Sequence, residues 1–327
     1  MIKSFIGGVA GFVLSEAERD FLHREQPYGV ILFARNIADP AQTQALVRDI
    51  KTCLTHPFAA VLIDQEGGRV ARMRPPHWRA YPPALTLAGK SDAERAIYVN
   101  ARLMADELRQ VGITTDCAPL ADVLAPECHA IIGDRAFGDS AKQVARLARA
   151  QAEGLREGGI LPVLKHIPGH GRATQDSHEA LPTVAASLAE LEASDFIPFK
   201  ALRDLPLGMT AHITYTALDP ERCATLSPVV IDFIRREIGF DGLLMSDDLS
   251  MKALTGSYEA RAARTLEAGC DLVLHCNGDM DQMRAVAAES VPLAGDALRR
   301  AEAAAAWLPA TPSFDTALID EWHALVA

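Results

Sequence analysis

Short runs of apolar and β-branched residues alternate with longer amphipathic stretches along the whole chain, and eight such runs can be counted. They lie near residues 6–13, 29–33, 60–63, 114–118, 162–166, 208–212, 242–247 and 271–275, and read as buried strands. Helix-start signals of the S-x-x-E form open several of the intervening stretches: Ser15 with Glu18, Ser91 with Glu94, and Ser187 with Glu190. Residues 93–110 and 142–157 carry apolar side chains at three- and four-residue spacing with charges between them, as amphipathic helices do. The alanine-rich stretch 294–327 is expected to complete a helical shell. Strands alternating with helices predict an α/β fold with a parallel sheet, and eight strands are the number that closes a (β/α)8 TIM-type barrel.

The competing architecture is a doubly wound open sheet with a dinucleotide site. No G-x-G-x-x-G follows the first strand; Gly67 and Gly68 follow Asp64-Gln65-Glu66 instead, which favours the barrel. No Pro-, Gly- or Ser-rich linker and no short repeat divides the chain, so residues 1–327 are expected to form a single barrel domain. The apolar stretch 5–14 resembles a short signal-peptide core. It has a single basic residue before it, lacks an A-x-A site and leads straight into the Ser15 capping box, so it is read as the first barrel strand.

Composition narrows the class further. Apolar residues make up 49% and aromatics 6%, as in a soluble, helix-rich α/β enzyme. A net charge of −11 argues against a nucleic-acid partner, and no apolar run approaches the ~20 residues of a membrane span. The six cysteines, Cys53, Cys117, Cys128, Cys223, Cys270 and Cys276, are scattered without a C-x-x-C pair, so neither a disulfide framework nor a zinc ribbon is expected.

The densest chemistry follows the fifth run. Lys165-His166-Ile167-Pro168-Gly169-His170-Gly171 with Asp176-Ser177-His178 gathers three histidines, a lysine and a carboxylate on a loop, because Pro-Gly-His-Gly suits neither strand nor helix. Other runs also end in polar groups: Asp64-Gln65-Glu66, then Pro119 and Asp122 leading to Gly133-Asp134-Arg135, then His212, Ser246-Asp247-Asp248, and His275 with Asn277. In a barrel these ends share one face and suit a polyhydroxylated ligand, whose every buried hydroxyl needs a partner.

Asp247 is the candidate nucleophile, a carboxylate held rigidly at a strand tip; the alternative is a helix cap. Asp248 is expected to point the other way. His178 with Asp176 reads as an acid/base pair, since a carboxylate orients an imidazole and stabilises its protonated form; the alternative is a solvated pair. Metal binding by His166, His170 and His178 is the rival, disfavoured by Lys165 beside them and by the absence of H-E-x-x-H. Asp64, Arg72, Arg135, Lys165 and His166 are candidate substrate-holding groups, although Arg69, Arg72 and Arg74 also read as a solvated run, and Arg135 as a partner of Asp134.

These segments, together with Ile31-Leu32-Phe33-Ala34-Arg35-Asn36 and Ser246-Asp247-Asp248-Leu249-Ser250-Met251, resemble the β-N-acetylglucosaminidase branch of the bacterial family 3 glycoside hydrolases over roughly residues 28–280. The resemblance implies a barrel enzyme that removes terminal N-acetyl-β-D-glucosamine with retention. It further implies a cytoplasmic, cofactor-free protein acting on N-acetylglucosaminyl-1,6-anhydromuramyl peptides in cell-wall recycling. It puts the nucleophile on Asp247, the acid/base on His178 with Asp176, and sugar binding on Asp64, Arg72, Arg135, Lys165 and His166. The loop bearing His178 is expected to close over the sugar. Ile167 stands where the branch usually has Phe, and the acidic D-x-E-G common in its first strand is absent. A glycoside phosphorylase, a sugar-binding barrel without turnover and a metal-dependent hydrolase are the rival functions. Nothing suggests an obligate partner, and a monomer is expected.

Overall fold

The computed structural model describes residues 1–327 apart from Glu127, Cys128, His178, Ser313 and Ala327. Its strands are β1 (Lys3–Gly8), β2 (Pro27–Leu32), β3 (Ala60–Ile63), β4 (Thr115–Asp116), β5 (Leu161–Ile167), β6 (Thr183–Val184), β7 (Leu207–Thr210), β8 (Thr214–Tyr215), β9 (Leu243–Asp248) and β10 (Leu272–His275). Eight of them close into a barrel in the order β1, β10, β9, β7, β5, β4, β3, β2, with parallel pairing throughout. The predicted (β/α)8 architecture is therefore the observed one. A small parallel pair, β6 with β8, lies outside the barrel and was not foreseen.

Helices α1 (Glu16–Glu25), α2 (Pro40–Cys53), α3 (Ala84–Ala88), α4 (Ala93–Gln110) and α5 (Ala141–Glu157) cover the first half. The second half carries α6 (Leu188–Ala193), α7 (Ile197–Ala201), α8 (Pro228–Phe233), α9 (Tyr258–Glu267), α10 (Met280–Glu289), α11 (Gly295–Ala306) and α12 (Ala317–Val326). Capping boxes form at Ser15 and Ser187 as expected. At the start of α4 the cap is Asp92 rather than Ser91: its carboxylate accepts the Arg95 amide at 3.3 Å, and a carboxylate one residue nearer the helix displaces the serine. The last two helices complete the shell. Among the described residues no helix is long and apolar enough to cross a membrane, and Cys53, Cys117, Cys223, Cys270 and Cys276 are buried and unbridged. Cys128 lies outside the described residues.

The strands read as unbroken apolar runs because both of their faces are buried, and their side chains still alternate. Ile6, Ile31, Leu62, Val163, Met209, Met245 and Leu274 fill the barrel interior. Their neighbours Phe5, Val30, Val61, Leu164, Leu244 and Val273 face the helices.

The first strand corrects the sequence reading, which set it at 6–13. Its ladder ends at Gly8, where a Cβ would lie 2.3 Å from the Cys276 carbonyl oxygen. The Val9 carbonyl then accepts side-chain bonds from Arg35 (3.0 Å) and Asn36 (2.9 Å) instead of a ladder bond, and Phe12 and Val13 stand exposed on a bend.

At the opposite end of the barrel, Asp271 just before β10 is buried. It accepts the Leu244 amide and the Arg235 guanidinium on one oxygen (2.8 and 2.7 Å) and Arg300 from α11 on the other (2.9 Å). Replacing it leaves Arg235 buried without a counter-charge. Asp271→Ala is expected to lower stability by about 3–5 kcal/mol and to leave KM unchanged, because the N-terminal face of such a barrel serves stability. Denaturant melts beside steady-state kinetics check this; a raised KM in a folded variant contradicts it.

Candidate active site

On five of the barrel strands the inward phase runs on to the C-terminal mouth. Ile31 leads two residues on to Phe33, Leu62 to Asp64 and then Glu66, Val163 to Lys165, Met245 to Asp247, and Leu274 to Cys276, and all of these line one cavity at the C-terminal mouth. The same cavity is lined by Arg72, Arg135, His166, His170 and Ser177 and holds about 260 Å³. That is below the ~300–1,000 Å³ of clefts for drug-sized ligands and suits a single sugar ring.

Five charged groups form one ladder across its wall. Asp64 accepts from Lys165 on one oxygen (2.9 Å) and from Arg72 on the other (3.1 Å). The Lys165 ammonium also meets Glu66 at 2.6 Å, and Glu66 in turn receives Arg135 through two bonds of 2.8 Å. Burial favours the neutral form of Asp64 and Glu66, but Lys165, Arg72 and Arg135 outweigh it and hold both below the usual carboxylate range. Burial likewise pulls Lys165 down, and the two carboxylates override it and raise its pKa. Asp64, Glu66 and Lys165 therefore remain ionised at neutral pH. Lys165 is only 2% exposed; it donates a hydrogen bond to Asp64 and lies in ion-pair contact with Glu66.

Arg135 thus finds Glu66 rather than Asp134, which pairs with Arg69 at 3.0 Å. Glu66 was missed as a site residue. Its signal was its place two positions after Asp64, in the same inward phase. Asp116, also buried against this network, has its carboxyl pushed up well above the usual carboxylate range by that burial.

Asp122 was likewise passed over, and it holds the histidine pair. Wholly buried, it accepts the His166 amide (3.3 Å) and the His170 amide (2.7 Å) on one oxygen and His166 Nδ1 (2.8 Å) on the other. Burial raises its pKa, but the pairing with His166 outweighs that and brings it to about 2, so it is an acceptor only. His166 Nδ1 must then donate, and in the neutral ring Nε2 is left as an acceptor. The loop beyond explains its glycines: a Cβ at Gly171 would fall 1.7 Å from the Val123 carbonyl oxygen, and Gly169 adopts a φ of 141°.

On β9, Asp247 follows Met245 into the cavity, and its Oδ1 accepts the Asp248 amide at 2.8 Å. Asp248 also borders the cavity, but its carboxylate turns back to the Ser250 and Cys276 amides (2.9 and 3.0 Å). His212 is wholly buried, its Nε2 donating to the Asp248 carbonyl at 3.1 Å. His275 packs on the Tyr258 ring, and Asn277 bonds to Gln282 and Asp279. His212, His275 and Asn277 are thus not among the residues that line the cavity. The acid/base expectation at His178 lies outside the described residues. Its neighbour Ser177 lines the cavity, and the Asp176 carbonyl accepts the Glu179 and Ala180 amides (2.9 and 3.0 Å). Among the described residues no three His, Cys, Asp or Glu side chains gather as metal ligands.

Residues 8–300 match the family model described as the glycosyl hydrolase family 3 N terminal domain. A β-hexosaminidase of Methylococcus capsulatus is 43% identical over 274 residues, 81% of this chain and 80% of that protein. One from Pseudomonas aeruginosa is 37% identical over 291 residues, covering 88% and 86%. The crystal structure of NagZ from Neisseria gonorrhoeae in complex with N-trifluoroacetyl-D-glucosamine superposes with a TM-score of 0.86 at 33% identity, over 99% of this chain and 96% of that one.

Burial, reinforced by the neighbouring His166, lowers the pKa of His170 to about 4. The unfolded imidazole takes up its proton near 6.5, so between these values the unfolded chain binds more protons and the fold loses stability as pH falls. His212, also lowered by burial, adds in the same direction. Asp122 acts in a lower window: its contribution is complete above 3.8 and is lost toward 2. Melting temperature should therefore fall from about pH 7 to 4.5, and fall less in His170→Gln; equal slopes in parent and variant contradict the assignment.

Proposed function

The chain belongs to glycosyl hydrolase family 3 and is a glycoside hydrolase of the β-hexosaminidase type, acting on N-acetylhexosaminides; on that basis we propose that it is a retaining exo-β-N-acetylglucosaminidase whose nucleophile is Asp247. The observation that carries this reading is the convergence of Asp247 with Asp64, Arg72, Arg135, Lys165 and His166 on one sugar-sized cavity. Ionised carboxylates accept from sugar hydroxyls, and the fixed cations donate to sugar oxygens.

Asp247 attacks the anomeric carbon while His178, oriented by Asp176, protonates the departing oxygen. A glycosyl–aspartate ester forms through an oxocarbenium-like transition state, and water deprotonated by His178 hydrolyses it. An imidazole on a loop replaces the second carboxylate of the usual retaining pair, and the loop closes over the sugar to complete the geometry. The substrates are N-acetylglucosaminyl-1,6-anhydromuramyl peptides of cell-wall recycling, handled in the cytoplasm by a monomeric, single-domain enzyme without metal or cofactor. The likeness to NagZ and the fit of one sugar ring in the cavity support this choice.

With chelator present, the parent protein should release 4-methylumbelliferone from its N-acetyl-β-D-glucosaminide, and Asp247→Ala should be slower by roughly 10⁴-fold or more. Equal turnover by both shows the site is elsewhere, and a sugar 1-phosphate appearing in phosphate buffer shows phosphorolysis. His178→Ala should lose kcat/KM steeply on a disaccharide and little on a 2,4-dinitrophenyl glycoside; equal losses contradict its acid role. A muropeptide disaccharide should show higher kcat/KM than N,N'-diacetylchitobiose, and the reverse order contradicts the substrate assignment.

A further inference from the structure

We propose that Asp122, His170 and Ser177 form a positioning relay that aligns the acid/base segment with the sugar and with the nucleophile strand. This rests on the reading of His178 as the acid/base. Asp122 has no exposed surface, and among the described residues its acceptor bonds all go to residues 166 and 170. It therefore cannot reach a ligand, and its effect must pass through the groups it holds. One carboxylate sets both the ring of His166, which lines the sugar cavity, and the backbone of His170, where the acid/base loop begins.

From there the His170 ring carries the contact forward. Its Nε2 lies 3.3 Å from Ser177 Oγ, and its Nδ1 is buried with no partner among the described residues. A buried N–H without an acceptor is more costly than a bare ring nitrogen with an unused lone pair, so the proton belongs on Nε2, which donates to the serine. The Ser177 hydroxyl hydrogen is then left to donate onward at the cavity wall, one residue before His178. On its other side the Ser177 carbonyl accepts the Ala253 amide at 3.2 Å, from the loop that follows Asp247. Ser177 is thus pinned between the sugar-holding segment and the nucleophile's own loop, and it is 3% exposed.

A positioning role of this kind is separable from a structural one by leaving group. Glycosylation with a 2,4-dinitrophenolate leaving group needs no acid, whereas departure of a sugar alkoxide does. Ser177→Ala, which deletes a single oxygen, and His170→Phe should each lower kcat/KM on the muropeptide disaccharide, by up to about a hundredfold, and lower it far less on the dinitrophenyl glycoside. His170→Gln, which keeps a donor, should recover part of the loss. In a His178→Ala background, His170→Phe should add nothing further, because both changes act on one step.

Equal loss on both substrates by either variant, or additive loss in the His178→Ala background, overturns the relay. If His178→Ala itself loses both substrates equally, the acid/base reading fails and the relay with it. If His178→Ala behaves as an acid/base variant while Ser177→Ala and His170→Phe match the parent, the relay alone fails.

Discussion

Everything at this site depends on the two-residue alternation of strands in a closed parallel barrel. Closure leaves each side chain a choice between the interior and the helical shell, and successive residues take opposite choices. The apolar inward set, from Ile6 through Leu274, packs the middle of the barrel. Toward the mouth that apolar packing gives way on three strands, and there the inward positions are Asp64, Lys165 and Asp247. The chemistry is therefore the continuation of the core by other residue types. A one-residue slip of any strand would turn its functional group into the helices.

Placing five charged side chains in so enclosed a space carries a desolvation penalty that their mutual pairing must offset. The arrangement answers it by letting the three central charges each serve two neighbours: Lys165 spans Asp64 and Glu66, Asp64 spans Lys165 and Arg72, and Glu66 spans Lys165 and Arg135. Such a wall is rigid before a sugar arrives, so its dipoles need no reorganisation during the reaction. The opposite rim uses the same chemistry for another end. Asp271 with Arg235 and Arg300 ties strand, helix and shell together far from the mouth.

Much of this was legible in the chain. The eight apolar runs, the helix signals between them and the polar residues at the run ends give the barrel and most of the cavity wall, because strand pattern and strand-end position are local properties. Partner choice is not. Arg135 has Asp134 beside it in sequence yet bonds Glu66, 69 positions away, because the loop after β4 folds over the end of β3. Asp122 looked like one more polar loop residue until β4 and β5 were paired. The first strand was set too late because Val9 to Leu14 is apolar, yet its backbone is satisfied by Arg35 and Asn36, which no local pattern reveals. The pair β6 with β8 is two residues on each strand, too short to leave a periodic signal.

The central claim is that the inward carboxylate of β9 becomes covalently bonded to the sugar. A 5-fluoro analogue of an N-acetyl-β-D-glucosaminide with an activated leaving group slows hydrolysis of the ester more than its formation, because fluorine beside the ring oxygen destabilises the oxocarbenium-like transition states. Intact-protein mass spectrometry followed by peptide mapping should then find one fluorosugar per chain, on the peptide that contains Asp247. A label on a different carboxylate, or normal turnover of the parent glycoside with no label accumulating, would contradict the account.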